Sequence, residues 1–142
     1  MNGLLVLAAL WLFMSGRKRR DSHLHHLSAG LVGNDAQGWV FEVSGQVFNG
    51  DPKLRQELAV GIFVEDVLTG AVFSGNTILV EAPKGQSGAF VRHVRVNRRE
   101  PGFPDTTGRT VRVRVLLQQE EVATTLVWRK DEQIIRGTFT LR

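Results

Sequence analysis

Between Val111 and Leu117 the chain reads V-R-V-R-V-L-L, with Val111, Val113, Val115 and Leu117 alternating against Arg112 and Arg114. Side chains two apart lie on one face of a strand but about 200° apart around a helix. This register therefore dictates a half-buried β-strand with one solvated face. The same period governs most of the chain after residue 38. Trp39, Phe41, Val43, Gly45 and Val47 alternate with Val40, Glu42, Ser44 and Gln46, and Asn49-Gly50-Asp51-Pro52 then supplies a turn. Leu58, Val60, Ile62 and Val64 form a second inward row, closed by Leu68-Thr69-Gly70.

Val72 to Val80 is a third strand, with Ser74-Gly75-Asn76 a bulge or an extra turn inside it. After the loop Pro83 to Gly88, Phe90, Val94 and Val96 start a fourth row, with Arg92 and Arg95 beside them. A loop rich in proline and glycine, Arg98 to Arg109, leads to the Val111 strand. Glu120-Glu121 reads as a tight turn, and Val122–Trp128 and Ile134–Leu141 as a hairpin around Lys130-Asp131-Glu132. No segment after residue 30 keeps a 3.6-residue stripe over three turns. The expected fold is all-β, an antiparallel immunoglobulin-like sandwich of about seven strands spanning 39–142. Trp39 and Trp128 both fall on period-two strands and are expected in its core.

The N-terminus obeys a different rule. Met1 to Gly16 carries no charge, and Leu4, Leu5, Leu7, Leu10, Trp11, Leu12 and Phe13 give it no polar face. Arg17, Lys18, Arg19 and Arg20 follow at once. A secretory signal places its charge before the apolar run and a small-residue cleavage site after it, so this order argues against one. A core helix would keep a polar side. Sixteen helical residues span about 24 Å, less than the roughly 30 Å hydrocarbon core, but snorkelling basic side chains make up the difference. Residues 1–20 are therefore expected to be a single transmembrane helix with a basic block at the lipid headgroups. By the positive-inside rule its N-terminus would face out and the body would be cytoplasmic at an inner membrane, the alternative being a periplasmic body. Residues 21–38 have no clean period and read as a linker.

Location also explains the net charge. The chain has formal charge +4, and from Asp21 onward acids and bases are equal in number, so the excess is the basic block alone. A neutral body without tyrosine, with its aromatics on inward rows, gives no nucleic-acid surface. Arg92, Arg95, Arg112 and Arg114, with Arg98 and Arg99, would form a basic stripe if the fourth and fifth strands were neighbours. Such a stripe would suit anionic lipid or an acidic partner, and otherwise a solvated face paired with glutamates.

A resemblance attaches to particular residues. Phe41 to Gly50 (F-E-V-S-G-Q-V-F-N-G), Val60 to Gly70 (V-G-I-F-V-E-D-V-L-T-G) and Pro83 and Gly85 ahead of Phe90 resemble the FxLYD-type and related immunoglobulin-like modules of bacterial envelope proteins. Glu65 stands where that family has an aromatic. The resemblance implies the sandwich fold, no single biochemical activity, and, for many members, a place outside the cytoplasm.

Sites for chemistry are scarce. There is no cysteine, so no thiolate metal site or cysteine nucleophile, and no phosphate loop, H-E-x-x-H or G-x-S-x-G pattern. His23, His25 and His26 are spaced loosely for a transition metal and read as part of a polar linker. His93 lies alone on a strand. Glu65-Asp66, Glu120-Glu121 and Asp131-Glu132 read as solvated acids, and Asn49, Asp51 and Asp66 would make a calcium site only if they met at one end of the sandwich. No catalytic residue, cofactor, metal site or small-molecule substrate is expected. The functional expectation is a non-enzymatic accessory or scaffold subunit, anchored in the bilayer and docked on a larger membrane protein complex such as a respiratory or photosynthetic one. The alternative is a free membrane-tethered module binding a peptide, a lipid or an envelope polymer.

Overall fold

The computed structural model describes residues 22–99, 105–120 and 127–142, with the backbone path alone for 119, 120 and 127–130. Eight strands follow in chain order: β1 (His23–Asp35), β2 (Gly38–Phe48), β3 (Gln56–Asp66), β4 (Val72–Ala82), β5 (Ser87–Asn97), β6 (Thr110–Glu120), β7 (Val127–Ile134) and β8 (Phe139–Thr140). They form two antiparallel sheets packed as a β-sandwich. One has the order β1-β2-β5, and the other β4-β3-β6-β7 with β8 pairing the start of β6.

The inward rows are those that alternation requires. Trp39, Phe41, Val43 and Val47 of β2 face Val60, Ile62 and Val64 of β3 and Val111, Val113, Val115 and Leu117 of β6, and all are buried. A buried aliphatic or aromatic side chain of this size contributes roughly 1.5–3 kcal/mol, so these rows account for most of the driving force. The Phe41 ring meets Phe139 edge-on at 5.2 Å between centroids. Trp39 is fully buried, and its indole N–H donates to the carbonyl of Arg142 at 3.0 Å, which ties the end of the described chain to β2. The Trp128 side chain lies outside the described residues, as do the whole of the 1–20 segment, residues 100–104, and residues 121–126, where the sequence suggests the end of a turn and the start of a strand.

Three expectations change. The segment read as a linker is the edge strand β1, so the sandwich begins at residue 22 and not at 39. Its alternation is hidden because one extra residue enters between His25 and Ser28 and another between Leu31 and Gly33. The first bulge leaves His26 at φ 54°, and it lets Leu24, Leu27 and Ala29 all reach the core. Ser74-Gly75-Asn76 does not interrupt β4, and the irregularity opposite Val64 and Glu65 falls instead at Phe73. Finally, Lys130-Asp131-Glu132 is not a turn but the middle of β7, bulged between the pairs Leu117–Asp131 and Gln118–Arg129.

Asp131 has a structural task there. Its carboxylate accepts from the Leu24 backbone N–H and the Gln133 amide, both at 2.9 Å, and Gln133 donates to the Leu24 carbonyl at 2.9 Å. These bonds sew β1 to β7 and close one side of the sandwich.

At the end of β3, Glu65 and Asp66 point to opposite faces and both are buried, not solvated. Glu65 receives Arg112 at 2.8 Å and Arg114 at 3.1 Å, and Arg109 donates to Asp66. Burial opposes the charge of Glu65, but the two arginines outweigh it and hold its carboxyl below the ordinary range. Burial also opposes the charge of Asp66, and the Leu68 N–H and Arg109 bring it below the ordinary range.

Replacing Glu65 by Gln removes the carboxylate that Arg112 and Arg114 share, leaving Arg114 the longer contact to Glu132, and should cost about 2 kcal/mol in urea unfolding. A depressed carboxyl pKa contributes stability that is fully present above the unfolded values, about 4.3 for Glu and 3.9 for Asp, and that is lost as pH falls through the lower folded values. Stability should therefore drop steeply below about pH 4 in the parent. Equilibrium unfolding across pH should show a flatter fall in Glu65→Gln.

Candidate functional site

The sheets divide the four arginines singled out by sequence. Arg92 and Arg95 lie on β5 in the three-stranded sheet, and Arg112 and Arg114 on β6 in the other. No single stripe exists, because the chain crosses between sheets in the loop from β5 to β6. Arg95 is bound by both carboxylate oxygens of Asp35, each at 3.1 Å. That contact, with the Gln37 N–H, lowers the Asp35 pKa to about 2. Arg112 and Arg114 grip Glu65, and Arg114 also lies over the Phe63 ring at 5.0 Å and approaches Glu132 at 3.5 Å. Three of the four thus serve the fold. Arg92 is exposed on its strand.

The end of the sandwich that holds the β1–β2 and β3–β4 turns is the polar one. Arg98 stacks on Trp39 at 4.3 Å from the ring centroid. Its guanidinium also donates to Thr107 Oγ1 at 3.1 Å, Asn34 Oδ1 at 3.2 Å and the Asp35 carbonyl at 3.1 Å. Beside it an open depression of about 470 Å³ is lined by Ala36, Gln37, Asn97, Arg98, Arg99 and Asp105. Arg99 and Asp105 pair across it at 3.5 Å. Arg99 and Asp105 offset each other and the Arg98 donors go to Thr107, Asn34 and the Asp35 carbonyl, so among the described residues it is a polar surface without an unpartnered acid, base or nucleophile. The sequence places all three in or beside the Pro/Gly-rich loop; it counts Arg98 and Arg99 with the arginines of the expected basic stripe and gives Asp105 no role.

The other candidates separate. Asn49 is fully buried, and its amide donates to the carbonyls of Leu54, Ala82 and Pro83 while Asn49 Oδ1 accepts from the Asp51 N–H at 2.9 Å. It organises the loop at the start of β3, and Asp66 ends that same strand about 33 Å away. The three residues therefore do not meet in a calcium site. His25 bonds to His26 through their Nδ1 atoms at 2.9 Å and to Ser87 Oγ at 2.8 Å. Burial first, then the neighbouring His26 and His23, hold the His25 pKa below its ordinary value. His93 faces Glu42 across the β2–β5 ladder at 3.1 Å. Among the described residues no group of three His, Asp or Glu side chains is placed to hold a metal ion.

Comparison with known proteins bears on the fold. No family model matches the sequence. No curated protein matches it either. A glycosyl hydrolase family 2 member from Bacteroides cellulosilyticus superimposes with a TM-score of 0.63 at 13% identity, over 85% of this chain and 15% of that one. A Bacteroides uniformis beta-glucuronidase does so with a TM-score of 0.62 at 16% identity, over 87% of this chain and 15% of that one. The likeness is one of fold. The chain spans about 15% of the length of these structures, so their activity belongs to much larger proteins.

If the arginines are structural, their removal should be read in stability. Arg114→Ala should lower the thermal midpoint by several degrees, through loss of the Glu65 bond and of the Phe63 stack. Arg92→Ala should change stability by less than about 0.5 kcal/mol. Scanning calorimetry of the two variants makes the comparison.

Proposed function

We propose that the protein is a non-enzymatic, single-pass membrane-anchored accessory or scaffold subunit whose β-sandwich docks on a larger membrane protein complex. The observation that carries this reading joins sequence to structure. The uncharged run of 1–16 and the basic block of 17–20 lead directly into a sandwich that starts at Ser22. Ser22 is itself buried and accepts from the Gly50 N–H at 3.0 Å. A rigid domain thus begins within two residues of the basic block. A tether that short holds the domain at the bilayer surface and limits what it can reach to other membrane proteins. No helix of the described residues is long and apolar enough to cross a membrane, and the proposed anchor precedes them.

The charge order places the N-terminus outside and the body in the cytoplasm at an inner membrane. The lack of a pocket with convergent, unspent polar groups among the described residues supports a binding role over catalysis. The packing of a three-stranded on a five-stranded antiparallel sheet, with the chain passing between sheets after β2, β4 and β5, supports placing the sandwich in the immunoglobulin-like class. The alternative, a free tethered module for a peptide, lipid or envelope polymer, draws on the polar depression at the sandwich end farthest from Ser22.

Membrane fractionation followed by mild-detergent extraction, size exclusion and mass spectrometry tests the proposal. Recovery at fixed ratio in one large complex is the expected result. A carbonate-washable protein would sink the anchor, and a membrane-bound protein with no constant companion would favour the free module. Replacing Leu7 and Leu10 by Lys should release the chain from the membrane fraction.

A further inference from the structure

His25 and His26 are consecutive, and consecutive residues of a regular strand point to opposite faces of its sheet. Here they do not. The extra residue that β1 takes in between His25 and Ser28 puts His26 at φ 54°, and the two imidazoles meet with their Nδ1 atoms 2.9 Å apart. Bulges of this kind re-aim side chains and are over-represented beside functional sites. The pair lies on the edge strand of the three-stranded sheet, His25 half-buried and His26 exposed, so an ion reaches it from solvent.

His25 is held by its other nitrogen. Its ring reaches past β2 to β5, where Nε2 and Ser87 Oγ are 2.8 Å apart. With Nε2–H donating to that hydroxyl, His25 carries its lone pair on Nδ1, and His26 Nδ1–H donates into it. An outer hydrogen bond like that to Ser87 is the usual companion of a metal-bound imidazole, because it fixes the tautomer and the ring plane. The spacing then selects the ion. With nitrogen–metal bonds of about 2.0–2.1 Å, two nitrogens 2.9 Å apart subtend about 90° at the metal, whereas a tetrahedral ion needs them about 3.3–3.4 Å apart. Right angles between neighbouring ligands belong to square-planar and tetragonal ions, and Cu²⁺ is the one that nitrogen ligands bind most strongly.

We propose that His25 and His26 form a cis chelate for Cu²⁺, with Ser87 positioning His25 and water completing the coordination. The ion takes the place of the proton between the two Nδ1 atoms. That proton passes to His26 Nε2, so both rings bind as neutral imidazoles. His23 stands 5.5 Å from His25 between ring centroids and is outside the ligand set. Two protein ligands are fewer than a structural metal site uses, which makes this a site of reversible loading. The inference does not depend on the membrane anchor or on any partner.

The test is a titration of the untagged full-length protein in detergent with Cu²⁺ against a competing chelator, read by calorimetry and electron paramagnetic resonance. One equivalent should bind, with the spectrum of a tetragonal ion and nitrogen couplings from two imidazoles. Ser87→Ala should keep that spectrum and weaken binding about tenfold, the usual cost of losing such an outer partner. His25→Ala and His26→Asn remove the ligands themselves and should each weaken it further. Asparagine tolerates a positive φ, so the bulge survives at position 26, and circular dichroism checks the fold. His23→Ala should leave the affinity within about twofold, since only an outer partner or a ligand carries a larger cost. Equal losses from all three histidines would mean that ions follow histidine content and would overturn the inference. So would unchanged binding in the His25→Ala, His26→Asn double variant, or a spectrum with a single imidazole.

Discussion

Glu65 and Asp66 fix the register on which the larger sheet depends. They pair with Arg112 and Val111 across the β3–β6 ladder. A slip of one residue would turn Val111, Val113, Val115 and Leu117 out to water. Hydrophobic burial alone resists that slip, and the two carboxylates make it costlier still, since each would lose its arginine in a place where an unpaired charge is expensive. Asp66 extends the control outward. Its side chain accepts from the Leu68 N–H at 2.9 Å and its carbonyl from the Gly70 N–H at 2.8 Å, which shapes the β3–β4 turn and so delivers β4 in register. Arg109 brings in the first residues of β6, and the Val67 N–H donates to Thr110 at 2.9 Å. The edge strand β4 and the central strand β6 are thus placed from the same two residues.

The second sheet is placed from its own end. Trp39 is held by its indole bond to Arg142 and covered by Arg98, whose other donors reach Asn34, the Asp35 carbonyl and Thr107. One guanidinium therefore gathers β1, β2 and the β5–β6 loop over the largest side chain of the core. This explains why the polar depression beside it is chemically quiet. Its charged groups are part of the closure of the sandwich.

The inward rows of β2, β3, β5 and β6 were legible because each is a regular strand, and a period of two needs no tertiary context to be seen. β1 was not, because its bulges insert residues that shift Leu27 and Ala29 out of phase with Leu24. The burial of Glu65 and Asp66 was hidden for a different reason. Two adjacent acids at a strand end look solvated until the partners, Arg109, Arg112 and Arg114, arrive from more than forty residues away. Alternation also says which face a residue takes but not which sheet its strand joins. For that reason Arg92 and Arg95 seemed to be neighbours of Arg112 and Arg114.

The same distinction governs what can be said of function. A sequence advertises a catalytic site by residue type and spacing, and a docking edge by what it lacks. β4 mixes Val72, Phe73, Ile78, Leu79 and Val80 with small and polar residues and carries its one charge at Glu81, and in isolation it reads as one more strand. Among the described residues β3 is its one ladder partner, while the opposite side of the sandwich is stitched by Asp131 and Gln133. The proteins whose folds resemble this one are several times longer, and a sandwich embedded in such a chain can have its edges covered by the rest of it.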